Sequence, residues 1–116
     1  MSDPPVLADF DLPLSKWVPG SQVGRERLSG TLMRQGSCAL LRTSSKHPIL
    51  LIWPKDAGGS YVPDSTYGYI FSGAARLVLG DKLEVVGSTV SADSLPANAC
   101  IRSHSGAIFM ITENFD

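Results

Sequence analysis

The residue types that most often carry chemistry are sparse in this chain of 116 residues. Its two histidines, His47 and His104, are not at ligand spacing from a cysteine or carboxylate, whereas a zinc site needs three or four ligands. No Gly-x-Ser-x-Gly sequence presents a nucleophilic serine. The pair Gly58-Gly59 lacks the Gly-Lys-Ser/Thr of a phosphate-binding loop. The sequence therefore predicts no metal site, no cofactor and no catalytic constellation.

The two cysteines, Cys38 and Cys100, are the most informative reactive residues. Both lie in apolar surroundings that are typical of strands. They are either two reduced thiols buried in the core or the two halves of a disulfide. We favour the disulfide, because closing a loop of about 60 residues would stabilise a small domain by roughly 4 kcal/mol on the chain-entropy model. A bridge requires that their Cα atoms lie within about 7 Å.

The polar stretch 55–66 is predicted to be the longest irregular connection of the chain. It contains Asp56, Tyr61 and Asp64, and Tyr67 follows it. Tyrosine offers a large contact area at a small entropic cost, and paired acidic residues steer a basic partner. We therefore predict that Tyr61, Asp56, Asp64 and Tyr67 contact a partner, which is another protein. The alternative is that the stretch is only a solvated connector.

Charge argues against a nucleic-acid partner. Ten basic residues and eleven acidic residues give a formal net charge of -1, whereas domains that bind single strands set aromatic side chains in a basic groove. The aromatic run Tyr61, Tyr67, Tyr69 and Phe71 has neighbours of both signs. We interpret the run as core packing and loop anchoring, with a protein- or glycan-contacting patch as one alternative and nucleic-acid stacking as the other.

Short apolar runs, separated by glycine, proline and polar turns, follow one another from residue 25. Period-two alternation starts at Glu26, and the continuous apolar run Ile49 to Trp53 is typical of a strand covered on both faces, with Trp53 buried. Gly80-Asp81 is predicted to be a turn that Asp81 caps. No segment has a sustained helical period. After a first strand that starts with this alternation, the predicted strands are 38–42, 49–53, 74–79, 83–90 (the longest) and 107–112, with a short strand that Cys100 opens. The predicted fold is all-β: a small closed or nearly closed antiparallel barrel of the OB type, with six or seven strands and little helix.

Residues 1–24 are predicted to form an irregular arm, and residues 25–116 the barrel domain. Four prolines and two glycines in the arm prevent a long helix. Its apolar residues are expected to pack on the barrel or to close one end of it, and an exposed docking strip is the alternative. These residues are Phe10, Leu12, Leu14, Trp17 and Val18.

A series of short motifs runs through residues 28–112. The motifs are Gly30-Thr31-Leu32, Ser37-Cys38-Ala39-Leu40, Leu51-Ile52-Trp53-Pro54, Leu79-Gly80-Asp81, Val86-Gly87, Leu95-Pro96, Cys100 and Ile108-Phe109-Met110-Ile111. The series resembles a family of small bacterial envelope and lipoprotein domains. The resemblance implies an OB-like barrel, an extracytoplasmic location and a Cys38–Cys100 bridge, and it implies no particular activity. The chain departs from the family pattern at Ser37, where glycine is usual, and at Gly87-Ser88, where two glycines are usual.

The first fifteen residues contain three aspartates and no lysine or arginine, so they lack the basic start and apolar region of a secretory signal. No apolar run is long enough to span a membrane. We expect either a mature exported protein of the bacterial periplasm or cell envelope, or a cytoplasmic protein. Our hypothesis is a non-enzymatic protein-binding module of the bacterial envelope, such as an inhibitor or immunity-type protein. The alternatives are an OB-type ligand binder for oligosaccharide or nucleic acid, and an enzyme with an unrecognised site.

Overall fold

The computed structural model describes residues 7–14, 26–44, 46–54, 56–73, 75–91, 98–104 and 106–112. Almost all regular structure in these ranges is β, so the predicted all-β class with little helix is confirmed. The elements are β1 (Ala8–Asp9), β2 (Glu26–Gln35), β3 (Cys38–Arg42), β4 (Ile49–Ile52), β5 (Gly58–Tyr61), β6 (Gly68–Ser72), β7 (Ala75–Val78), β8 (Lys82–Val90), α1 (Ala99–Ser103) and β9 (Ile108–Ile111).

Five strands form a closed, OB-like barrel in the order β2-β3-β4-β9-β8. Neighbouring strands are antiparallel except β4 and β9, which are parallel. The sequence prediction of a wholly antiparallel barrel is therefore wrong at this pair. A tight hairpin forces its two strands to be antiparallel, but β4 and β9 are far apart in the chain and no hairpin fixes their relative direction.

The long strand β2 closes the barrel because it pairs with two neighbours in succession. Its first residues pair with β8 and its last ones with β3, and Thr31 is paired on both sides. A Cβ at Gly30 would collide with the carbonyl oxygen of Arg42. Glycine at this position therefore lets two strands approach closely where the barrel bends. At ten residues, β2 exceeds the nine of β8, which the sequence had predicted to be the longest strand.

A second, four-stranded sheet has the order β1-β5-β6-β7, and three of its strands lie between β4 and β8 in the chain. The prediction that residues 55–66 are irregular is wrong for β5. This strand pairs with β1 on one side and with β6 on the other. The sequence does not reveal this strand, because Gly58 and Gly59 have no side chains that could show a strand pattern. Sheet pairing uses backbone groups, which every residue type has.

Alternation along β4 divides the buried residues into two clusters. Leu51 and Trp53 belong to the inner cluster, and Leu50 and Ile52 to the second cluster on the outside of the barrel wall. Trp53 is fully buried, and Phe10 and Leu12 from the N-terminal arm join the inner cluster, as the sequence predicted. Partly buried Leu14 packs against it. Trp17 and Val18 lie outside the described residues.

Three further sequence predictions have different outcomes. Cys100 lies in the helix α1 and does not open a strand. Asp81 caps its turn as predicted, because its Oδ2 accepts a hydrogen bond from the Val78 N–H at 2.9 Å. The proposed domain boundary at residue 24 lies outside the described residues.

Candidate functional site

The predicted disulfide between Cys38 and Cys100 is confirmed. The two Cα atoms are 5.6 Å apart, within the range that a disulfide requires. The bond joins the first residue of β3 to α1. It therefore holds the helix against the barrel wall and does not connect two strands.

Tyr61 lies in the core and not in an exposed loop. Its side chain is 9% exposed, and its ring centroid lies 5.0 Å from that of Phe10. The guanidinium carbon of Arg34 lies 4.3 Å from the same ring centroid. Tyr61 therefore has little exposed area with which to contact a partner, although the prediction relied on the large contact area of tyrosine.

The other three predicted contact residues are exposed, but they do not form one surface with Tyr61. Asp56 and Asp64 lie in separate turns on either side of β5. Tyr67 immediately precedes β6 and is 46% exposed. The partner-contacting role of these four residues stays a prediction, and Tyr67 is the member that belongs to the exposed surface described next.

An aromatic ladder lies on the outward side of β6. Tyr67, Tyr69 and Phe71 occupy alternate positions and therefore point to the same side of the sheet. Successive ring centroids are 6.4 and 5.1 Å apart, and the ring planes are inclined at 61° and 70°. The guanidinium carbon of Arg76, on β7, lies 5.3 Å from the Tyr69 ring centroid and 5.7 Å from that of Phe71.

Small and polar residues flank this ladder on β5 and β1. Strand register places Ser60 directly beside Tyr69, and Asp9 beside Ser60. The Ser60 hydroxyl donates to Asp9 Oδ1 at 3.2 Å. Gly58 lies beside Phe71, and nothing lies within 4 Å of where its Cβ would be. The small residues of β5 therefore form a shallow groove next to the aromatic ladder of β6.

We call this outward side of the β1-β5-β6-β7 sheet the aromatic face. Two of the three large hydrophobic side chains that are exposed in the described part of the chain, Tyr67 and Phe71, belong to it. Because neighbouring rings are steeply inclined, the ladder is not a flat platform for a sugar ring or a base, and it suits irregular protein side chains better.

The outer surface of β3, β4 and β9, which we call the α1-covered face, is different. OB folds bind oligonucleotides and oligosaccharides on the face of their second and third strands, which correspond to β3 and β4. Here Cys100 and Ile101 of α1 cover that face. The strand residues of this cluster are Leu40, Leu50, Ile52, Ile108 and Met110.

Asn98 fixes the start of α1. Its Oδ1 accepts hydrogen bonds from the N–H groups of Cys100 and Ile101, at 2.8 and 3.2 Å. Its Nδ2 donates to Asp11 Oδ1 at 3.0 Å. The helix is therefore attached to the N-terminal arm by hydrogen bonds and to β3 by the disulfide.

A groove of about 500 Å³ lies between α1 and the β2–β3 turn. Its polar lining includes Ser37 and Ser103, and His104 Nε2 lies 2.9 Å from the carbonyl oxygen of Ala107. Within the residues that the structure describes, no three His, Cys, Asp or Glu side chains lie together as a metal site would require.

Sequence reasoning missed the residues around the ladder, namely Asp9, Gly58, Ser60 and Arg76. The interpretation of the aromatic run as core packing is wrong for Tyr67 and Phe71, which are exposed beside and on the strand β6. What surrounds that strand depends on pairing between segments that are distant in the sequence, and no local signal reports it.

In the described part of the chain, no helix has the length and apolar character needed to cross a membrane. Comparison of the chain with protein-family models, with curated proteins and with solved structures finds no match.

Proposed function

We propose that this protein is a non-enzymatic protein-binding module that docks its partner through the aromatic face. The observation that carries the proposal is the row of Tyr67, Tyr69 and Phe71 on one side of one sheet, with Tyr67 and Phe71 exposed and Arg76 above the rings of Tyr69 and Phe71. Tyrosine, phenylalanine and arginine are enriched where proteins meet. A contiguous exposed apolar patch marks an interaction site more often than a free surface.

The partner meets the face of this sheet and not its β7 edge. Val78 is the last residue of β7, and its N–H donates to Asp81 Oδ2 at 2.9 Å. This side chain occupies a backbone donor that an added strand would need. By contrast, the outward side chain of Phe71 on β6 is exposed.

The disulfide is compatible with an oxidising compartment, which supports the bacterial periplasm or cell envelope as the location in this proposal. There the module would act as an inhibitor or immunity-type protein by masking a surface of another protein. Binding of oligosaccharide or nucleic acid is less favoured, because α1 covers the face that OB folds use for these ligands.

Site-specific photo-crosslinking tests the proposal in cells that make the protein. A photoreactive phenylalanine analogue replaces Phe71 on the aromatic face or, as the control, exposed Glu84 on the barrel. We expect a discrete protein adduct from position 71 and at least tenfold less from position 84. Tyr69→Ser should remove the adduct from position 71. No adduct at position 71, or equal adducts at both positions, would overturn the proposal.

A further inference from the structure

We infer that the partner that fits the aromatic face is a second copy of this chain. The inference rests on the proposed function and concerns the same surface: the second copy covers the aromatic face in the free protein, and the protein that the module masks takes its place there. Two features carry it: the aromatic ladder beside a matching groove, and opposite charges at the two sides of the face.

The aromatic ladder of β6 and the groove along β5 lie on adjacent strands, and their residues are paired in register. Strand register pairs Phe71 with Gly58 and Tyr69 with Ser60. The next outward position follows the same pattern, since the Val62 N–H donates to the Tyr67 carbonyl oxygen at 3.0 Å. Each large aromatic side chain of the ladder therefore has a smaller residue of the neighbouring segment beside it.

A two-fold axis converts this arrangement into an interface. If the axis lies between the two copies, parallel to the strands and midway between β5 and β6, it places the β6 of each copy over the β5 of the other. Phe71 then lies over Gly58 and Tyr69 over Ser60 of the second copy. Self-complementarity of one patch is what a two-fold dimer requires, and stacked sheets whose strands are aligned within about 30° are a common packing.

The same operation brings opposite charges together. Asp9 is on β1 and Arg76 is on β7, the two outer strands of the sheet. The axis places β1 of one copy over β7 of the other, so that Asp9 comes within reach of the long Arg76 side chain of the second copy. Within the described residues, the one ion pair joins Arg27 and Glu84 on the barrel, so Arg76 has no carboxylate partner among these residues.

The size of the face sets the expected affinity. Four strands spaced about 4.8 Å apart, with outward side chains about 6.7 Å apart along each strand, make a small face. An interface of this size falls at the low end of specific protein contacts. We therefore expect a weak dimer that forms at micromolar or higher protein concentrations.

Sedimentation equilibrium of the intact, disulfide-bonded chain, from about 1 µM to about 1 mM, tests the inference. Arg76→Asp places two acids at each predicted charge pair, and Asp9→Arg places two arginines there, so each variant alone should raise the dimer dissociation constant at least tenfold. An equimolar mixture of the two variants restores both pairs and should regain the dimer. The double variant Asp9→Arg with Arg76→Asp should dimerise like the native chain.

Lys82→Asp, an exposed charge reversal on the barrel, is the matched control and should leave the dissociation constant unchanged. A native chain that stays monomeric up to about 1 mM would overturn the inference, as would a mixture of the two variants that does not associate. If such a monomer still gives the position-71 adduct with a different protein, the second copy is excluded and the proposed function stands. If neither dimer nor adduct forms, both fail. Circular dichroism melting confirms that each variant is folded.

Discussion

The α1-covered face and the aromatic face are both outward sides of β-sheets in the same domain, yet one is covered and the other is open. The covered face presents aliphatic and thioether side chains, including Leu40, Leu50 and Met110, and α1 excludes solvent from them. The aromatic face presents tyrosine, phenylalanine and an arginine, bordered by Ser60 and Asp9.

The two faces differ in how their side chains interact with water. Aliphatic side chains gain free energy by burial alone and have no polar atom that water can satisfy. Tyrosine combines a ring with a hydroxyl, so it tolerates exposure and still contributes when it is buried. The covered face therefore contributes to folding, whereas the aromatic face tolerates exposure in the free protein and, in our proposal, is buried in a complex.

The largest effect on stability is expected in the core beneath the α1-covered face. Trp53 follows β4 and is fully buried in the inner cluster, so Trp53→Ala should lower the free energy of unfolding by about 3–5 kcal/mol. Tyr67→Ala truncates an exposed aromatic side chain and should cost less than about 1 kcal/mol. Urea unfolding of both variants measures the contrast. A loss below about 1 kcal/mol for Trp53→Ala would contradict the placement of the core.

Removing the disulfide should open the covered face. The double variant Cys38→Ser with Cys100→Ser should lose up to about 4 kcal/mol of unfolding free energy, because the unfolded chain is no longer cross-linked. It should also bind more of an apolar fluorescent dye, because α1 is then attached less firmly to its aliphatic cluster. Reduced native protein should behave in the same way. Equal dye binding in reduced and oxidised protein would mean that the disulfide is not needed to hold the cover in place.

A smaller effect is expected from the cap of α1. Asn98→Ala removes the acceptor for the N–H groups of Cys100 and Ile101, and loss of such a cap costs about 1 kcal/mol. Amide hydrogen exchange should accelerate in α1 and change little in β2. Asn98→Asp keeps an acceptor and should retain most of the protection. Unchanged exchange in Asn98→Ala would show that the disulfide alone positions the helix.

The smallest expected effect on stability is on the aromatic face. Tyr69→Ser should change the free energy of unfolding by no more than about 0.5 kcal/mol, and it should still abolish the position-71 adduct. Thermal melting and photo-crosslinking of the same variant measure the two effects. A drop in melting temperature of more than a few degrees would mean that this face stabilises the fold and is not reserved for a partner.

Local sequence signals were sufficient for some elements and insufficient for others. The strand Cys38–Arg42 was predicted with its observed bounds because turn residues and a charged residue bracket an apolar run. By contrast, β5 was missed because its glycines carry no periodic signal. Tyr61 was predicted to be exposed because its neighbours are polar, although cross-strand pairing directs it inward against Phe10.

By itself, the sequence determined the all-β character, the burial of Trp53 and the presence of two cysteines able to bridge. These properties follow from alternation and composition within short segments, which bias the backbone locally. Only the tertiary structure decided that β4 and β9 are parallel, that a helix covers the β3–β4 surface, and that Asp9 and Arg76 share one face. These features depend on which distant segments pair and in which register, and that choice is made by the packing of the whole chain and not by any one segment.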